Sequence, residues 1–163
     1  MLKVSNKAGS STGTGAVKVN AGTLGGKGII AGAVTVGTGT GAGAFLEPSV
    51  GTNKPGTLTI QKAVTFKADG SYTYEVNTKK AKADQVVANG VTIESGAQFD
   101  FTAVANKKLA AGTVFTAISN TSANSISGTF ANLVDGSIFT GRNSYQVSYS
   151  GGDGNDLALT VTR

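Results

Sequence analysis

A chain of 163 residues fits one domain and is long enough to bury about 70% of the surface its unfolded form exposes. With 24 glycines, 39% hydrophobic and 7% aromatic residues, any core must be thin and built from small aliphatics on short strands, not helices. The absence of Cys, His and Trp excludes disulfides, thiol nucleophiles and thiolate or imidazole metal ligands, and a net charge of +5 (pI about 9.5) leaves acidic partners open.

The chain opens with Leu2-Lys3-Val4, which reads as the middle of a strand. Met1 is therefore expected to begin an excised fragment, so the lack of a secretory signal's apolar stretch in the first residues says little about localisation. No apolar run approaches the roughly 20 residues of a membrane-spanning helix. Ala16-Val17-Lys18-Val19, Ala33-Val34-Thr35-Val36 and Ala63-Val64-Thr65-Phe66 are near copies of one alternating strand, and Val91-Thr92-Ile93 follows Gly90 in the same manner. Thr57-Leu58-Thr59-Ile60 echoes Gly22-Thr23-Leu24. Gly, Asn, Ser and Thr fill the intervals as turn residues. Residues 1–44 carry no aromatic, whereas from Phe45 onward aromatics recur, with Tyr72/Tyr74 and Phe99/Phe101 each two apart and therefore on one side of a strand. The chain ends in two alternating runs, Tyr145-Gln146-Val147-Ser148-Tyr149 and Leu157-Ala158-Leu159-Thr160-Val161, around a Gly/Asp/Asn loop, which predicts a hairpin. An irregular repeat of 20 to 30 residues built from such strands suits a parallel β-helix, whose coils stack at about 4.8 Å. The expected fold is an all-β, single-domain solenoid over 1–163, with Gly/Thr-rich coils over 1–44, aromatic-containing coils over 45–163 and a C-terminal hairpin cap. A β-sandwich is the alternative; the aromatic-free first 44 residues argue against it.

The order of AGTLGGKGIIAGAVTV (21–36), FLEPSVGTNKPGTLTI (45–60), SYTYEVNTKKAKADQVVANGVTI (71–93), GTVFTAISN (112–120), GTFANL (128–133) and YQVSYSGGDGNDLALTV (145–161) resembles the autotransporter-associated β-strand repeat. Leu46-Glu47-Pro48 departs from it, since the family more often has an uncharged small residue before the proline. The resemblance implies a right-handed parallel β-helix on the surface of a Gram-negative-type bacterium or secreted from it. It also implies an outer-membrane barrel elsewhere in the full-length protein, and a stalk or scaffold role without catalysis.

Three kinds of motif bear on chemistry. Gly151-Gly152-Asp153-Gly154-Asn155-Asp156 matches part of a calcium-binding nonapeptide, with Asp153, Asn155 and Asp156 as candidate ligands. Calcium takes six to eight oxygens and one turn supplies too few, while the leucines fall in a strand register, so no cofactor is expected. Gly26-Lys27-Gly28-Ile29-Ile30-Ala31 and Gly39-Thr40-Gly41-Ala42-Gly43-Ala44 fit a loose dinucleotide pattern, but neither is followed by a helix to hold a pyrophosphate. The acids Glu47, Asp69, Glu75, Asp84, Glu94, Asp100, Asp135, Asp153 and Asp156 are dispersed; stacking could still pair two of them, as glycoside hydrolysis requires. Asp69-Gly70 and Asp135-Gly136 read as turns, and Asp84, before Gln85-Val86-Val87, as an acceptor of backbone N–H groups. The lysines look scattered, the densest group being Lys79, Lys80 and Lys82. No basic stripe with stacking aromatics is visible, so nucleic acid is not an expected partner. The sequence therefore points first to a non-enzymatic structural segment. An adhesin-type module for acidic glycans or cell surfaces comes second, and a polysaccharide-cleaving enzyme third. Self-association through the solenoid ends and attraction to acidic polysaccharide are the expected interactions.

Overall fold

The computed structural model describes residues 1–51 and 53–163, and within them the chain is all-β, with no helix and no closed barrel. After β1 (Leu2–Val4), strands recur in a fixed rotation. β2 (Val17–Val19), β3 (Gly22–Gly26) and β4 (Ile29–Ile30) are followed by β5 (Val34–Val36), β6 (Ala44–Glu47) and β7 (Thr57–Ile60). Then come β8 (Val64–Phe66), β9 (Gly70–Asn77), a short β10 (Lys82–Ala83) and β11 (Gln85–Ala88), and last β12 (Val91–Ile93), β13 (Gln98–Val104) and β14 (Val114–Asn120). Each strand pairs in parallel with its counterpart one turn of the rotation later. Sheet I runs β1-β3-β6-β9-β13, sheet II β2-β5-β8-β12, and sheet III β4-β7-β11-β14. The antiparallel β10 clips the end of β9.

Sheet II contains the four near copies of the sequence, in register: Val17, Val34, Val64 and Val91 form one column, and Val19, Val36, Phe66 and Ile93 another. Between them Lys18, Thr35, Thr65 and Thr92 point outward, more exposed than the core positions. β-Branched residues suit this pleated, half-buried setting. Backbone bonds continue the ladder past the strand ends, with Val34 N–H to Ala63 O at 3.0 Å and Lys67 N–H to Val36 O at 2.8 Å. The first interval, from Val17 to Val34, is shorter than the 20 to 30 residues expected, because short links join β2, β3 and β4. The echo between Thr57–Ile60 and Gly22–Leu24 does not reflect equivalence, since β7 belongs to sheet III and β3 to sheet I.

The buried side chains form one cluster from Val4 to Val161. In sheet I the inward column grows along the chain from Leu24 through Leu46 to Tyr72 and Phe99. Phe66, Tyr72, Tyr74, Phe99 and Phe130 then pack ring against ring at centroid separations of 5.1 to 6.4 Å. Each fully buried Leu, Ile, Val or Phe contributes about 1.5–3 kcal/mol.

At the C-terminal end the direction changes. β17 (Asp156–Val161) lies antiparallel on β14, β16 (Ser144–Gly151) on β17, and β15 (Ile138–Thr140) on β16, extending sheet III. The hairpin expected around Gly151–Asp156 is thus present, with Tyr145, Val147, Tyr149, Leu157, Leu159 and Val161 all buried.

Candidate functional site

The most buried charged chemistry lies where sheet I turns toward sheet III. The reversal between β9 and β10 brings Glu75 and Asp84, nine positions apart, side by side; both are buried. Asp84 Oδ1 accepts the Gly56 N–H at 2.9 Å, and Oδ2 accepts the Ser49 hydroxyl at 3.0 Å and the Glu75 N–H at 3.1 Å. Glu75 Oε2 accepts the Asn53 N–H at 3.1 Å, while Oε1 has no partner among the described residues. The loop between β6 and β7 is therefore laced to the next turn of chain by two carboxylates.

Burial pushes the Asp84 carboxyl up to about 6, against the hydrogen bonds from Gly56, Ser49 and Glu75 and with the Glu75 carboxylate adding to the rise. Such a group exchanges a proton near neutral pH and could serve acid–base chemistry. Its two oxygens, however, already accept three protein donors. A groove of about 340 Å³ passes beside it, lined by Gly56, Thr57, Lys82, Asp84 and Phe115. A larger groove of about 440 Å³ lies on β13 and contains a single acid, Asp100.

Asp84, expected from its place before Gln85-Val86-Val87 to accept backbone N–H groups, does accept them. Its partners Ser49, Gly56 and Glu75 carry no local signal, because the loop and the reversal that gather them are set by the stacking.

The glycine pattern at 39–44 holds no nucleotide-type helix but does cradle an anion, the chain's own Asp69. Oδ1 accepts the N–H groups of Thr38 at 2.9 Å and Gly39 at 2.5 Å, and Oδ2 that of Gly41 at 2.8 Å. This is a backbone nest filled from the segment between β8 and β9. A Cβ at Gly37 would sit 2.4 Å from Asp69 Oδ1 and one at Gly41 2.5 Å from Oδ2, so the glycines permit the close approach. Partial burial pulls the Asp69 carboxyl upward, but the donors from Gly39, Thr38 and Gly41 outweigh it and hold it down at about 2. The Asp69-Gly70 turn is legible in the sequence; the nest is not.

In the turn Gly151–Asp156 the candidate calcium ligands separate. Asp153 is exposed, whereas Asp156 is buried and its Oδ1 accepts the Asn120 N–H at 2.8 Å. Asn155 Nδ2 donates to Ser122 O at 2.6 Å, and its Oδ1 is buried without a protein partner among the described residues. These side chains stitch the hairpin to the loop after β14. Among the described residues no three His, Cys, Asp or Glu side chains gather as a metal site. Asp135 accepts the Tyr149 N–H at 2.9 Å, and Glu94 pairs with Lys67.

No family model, curated protein or solved structure matches the chain.

Proposed function

We propose that this chain is a rigid structural segment, a right-handed parallel β-helix that serves as stalk or scaffold in an autotransporter-like bacterial surface protein and carries out no reaction. The observation that carries this reading is the in-register succession Val17, Val34, Val64, Val91, repeated in kind in sheets I and III. Strands that rotate through three sheets and pair with the next turn form an extended ladder of inter-coil hydrogen bonds, and such a ladder resists bending. The use of the acids supports it: the half-buried Asp69 and the buried Asp84 and Asp156 each accept backbone N–H groups from elsewhere in the chain. In the parent protein the segment would lie outside the cell, with its membrane barrel encoded elsewhere.

Antibodies raised against the folded chain test this on intact and lysed source cells. Labelling of intact cells, abolished by external protease, is the expected result; labelling only after lysis contradicts the surface role. Product release from a panel of plant and bacterial glycans, at a rate lost on replacing Asp84, would contradict the absence of catalysis.

A further inference from the structure

Lysines dispersed in the sequence converge in the structure. Each turn of chain passes from sheet I to sheet III through a corner, and the corners stack. The first, 27–28, carries Lys27; the second, 48–56, Lys54; the third, 78–84, Lys79, Lys80 and Lys82; the fourth, 105–113, Lys107 and Lys108. Hydrogen bonds tie each corner to the next. Lys27 Nζ donates to Pro55 O at 3.0 Å, Lys80 Nζ to Asn53 O at 3.0 Å, and the Lys107 N–H to the Thr78 hydroxyl at 3.1 Å. Asn143 then accepts the Leu109 N–H at 2.8 Å and donates to Lys107 O at 3.2 Å, which sets the exposed Arg142 beside the fourth corner.

Eight of the chain's 14 cationic residues thus lie along one edge, all exposed. The four corner segments contain a single acid, Asp84, and it is buried. The ion pair Lys67–Glu94 lies elsewhere, between the ends of β8 and β12. The partly exposed Glu47, which ends β6, borders the ridge, but cations outnumber acids along it, so its potential adds along the stack.

We infer that this corner ridge is a binding site for a linear acidic polysaccharide, carboxylated or sulfated, lying along the stacking axis. The step between rungs is about 4.8 Å, so the four corners span about 14 Å. That step approaches the length of one sugar unit, so a chain with a regular charge repeat meets a cationic rung at nearly every residue. Other polyanions fit less well. Single-stranded nucleic acid binds through aromatic platforms, and the corner segments contain no Phe, Tyr or Trp. A membrane surface calls for an apolar face under the charge, and of the exposed large apolar residues only Val114 borders the ridge among the described residues. The site rests on the stacked order of the corners, not on the stalk role, and absence of cell-surface labelling would leave it standing.

The test uses the whole chain on immobilised heparin and polygalacturonate, with neutral dextran as control, at about 0.1 M salt, where the Debye length is about 10 Å. Retention on both acidic matrices, lost as salt rises, is expected, with none on dextran. Replacing Lys54, Lys79, Lys82, Lys107 and Lys108 by Gln should weaken binding at least roughly tenfold, because ridge charges act together over distances within the Debye length. Replacing Lys18, Lys62 and Lys67 by Gln removes charge from sheet II and its borders, away from the corners, and should leave most of the affinity. Should the ridge variant melt early, the pair Lys107→Gln and Lys108→Gln reads the same effect with less disturbance. No retention, equal losses in the two sets, or tighter binding to oligo-dT or to phosphatidylserine vesicles would overturn the proposal.

Discussion

Asp69 and Asp84 show how one side chain type serves opposite electrostatic ends. Asp69 is held ionised by a nest of N–H groups, so its folded pKa, about 2, lies below its unfolded value near 3.8. Its contribution to stability is therefore complete above about pH 4 and is lost as pH falls towards 2. The amide resonances of Thr38, Gly39 and Gly41 should titrate together with a midpoint near 2; a midpoint near 4 would show that the nest is not formed. Asp84 runs the other way. Its carboxyl is raised to about 6, so the ionised form is disfavoured in the fold, and the cost present above pH 6 is relieved as pH falls from 6 towards 4. The urea midpoint should rise over that interval in the native chain, and the rise should vanish in Asp84→Ala. Tyr149 makes a third test. Its hydroxyl accepts the Phe130 N–H at 3.0 Å and donates to Leu133 O at 2.9 Å, and burial pushes it up to about 12. Tyr149→Phe strands that buried N–H and should cost about 1–3 kcal/mol in urea denaturation; a cost indistinguishable from zero would mean water replaces the hydroxyl.

Among the elements, the strands divide by what closes them. Sheet III does not end at β14, because β17, β16 and β15 continue it and cover hydrophobic columns that would otherwise be open. In sheet I the edge of β13 is met by Asn132, whose side chain accepts the Phe99 N–H at 2.8 Å and donates to Phe99 O at 3.0 Å, as a strand would. Closed edges resist sheet-to-sheet aggregation. The aromatic rings collect in the same half, so a chain cut before Phe99 loses β13, β14 and the hairpin together with Phe130. Residues 1–98 alone should stay soluble yet melt without cooperativity by circular dichroism; a sharp transition would contradict this. The alternating strands of sheet II and the C-terminal hairpin were legible in the sequence because inward Val, Tyr and Leu positions are fixed by a period of two. The Glu75–Asp84 pair was not, nor was the basic ridge. Both depend on which corners lie over one another, and that follows from unequal loops such as 48–56 and 105–113, whose lengths no local pattern announces. The likeness of Thr57–Ile60 to Gly22–Leu24 misleads for the same reason: similar strands serve different sheets.

For the molecule as a whole, the parallel pairing of strands in three sheets builds the aliphatic columns, places Asp69 in its nest and lines up the lysines. The chain contains no cysteine, so engineered pairs report strand neighbours without background. Thr35, Thr65 and Thr92 form one outward column of sheet II, each one rung from the next. Neighbouring rungs are about 4.8 Å apart, inside the usual Cα separation for a disulfide, and alternate rungs at about 9.6 Å are outside it. Mild oxidation of the folded chain should close an intramolecular disulfide in Thr35→Cys/Thr65→Cys and in Thr65→Cys/Thr92→Cys but not in Thr35→Cys/Thr92→Cys. Closure of the third pair, or failure of the first two in a chain that still melts cooperatively, would contradict the stacked arrangement.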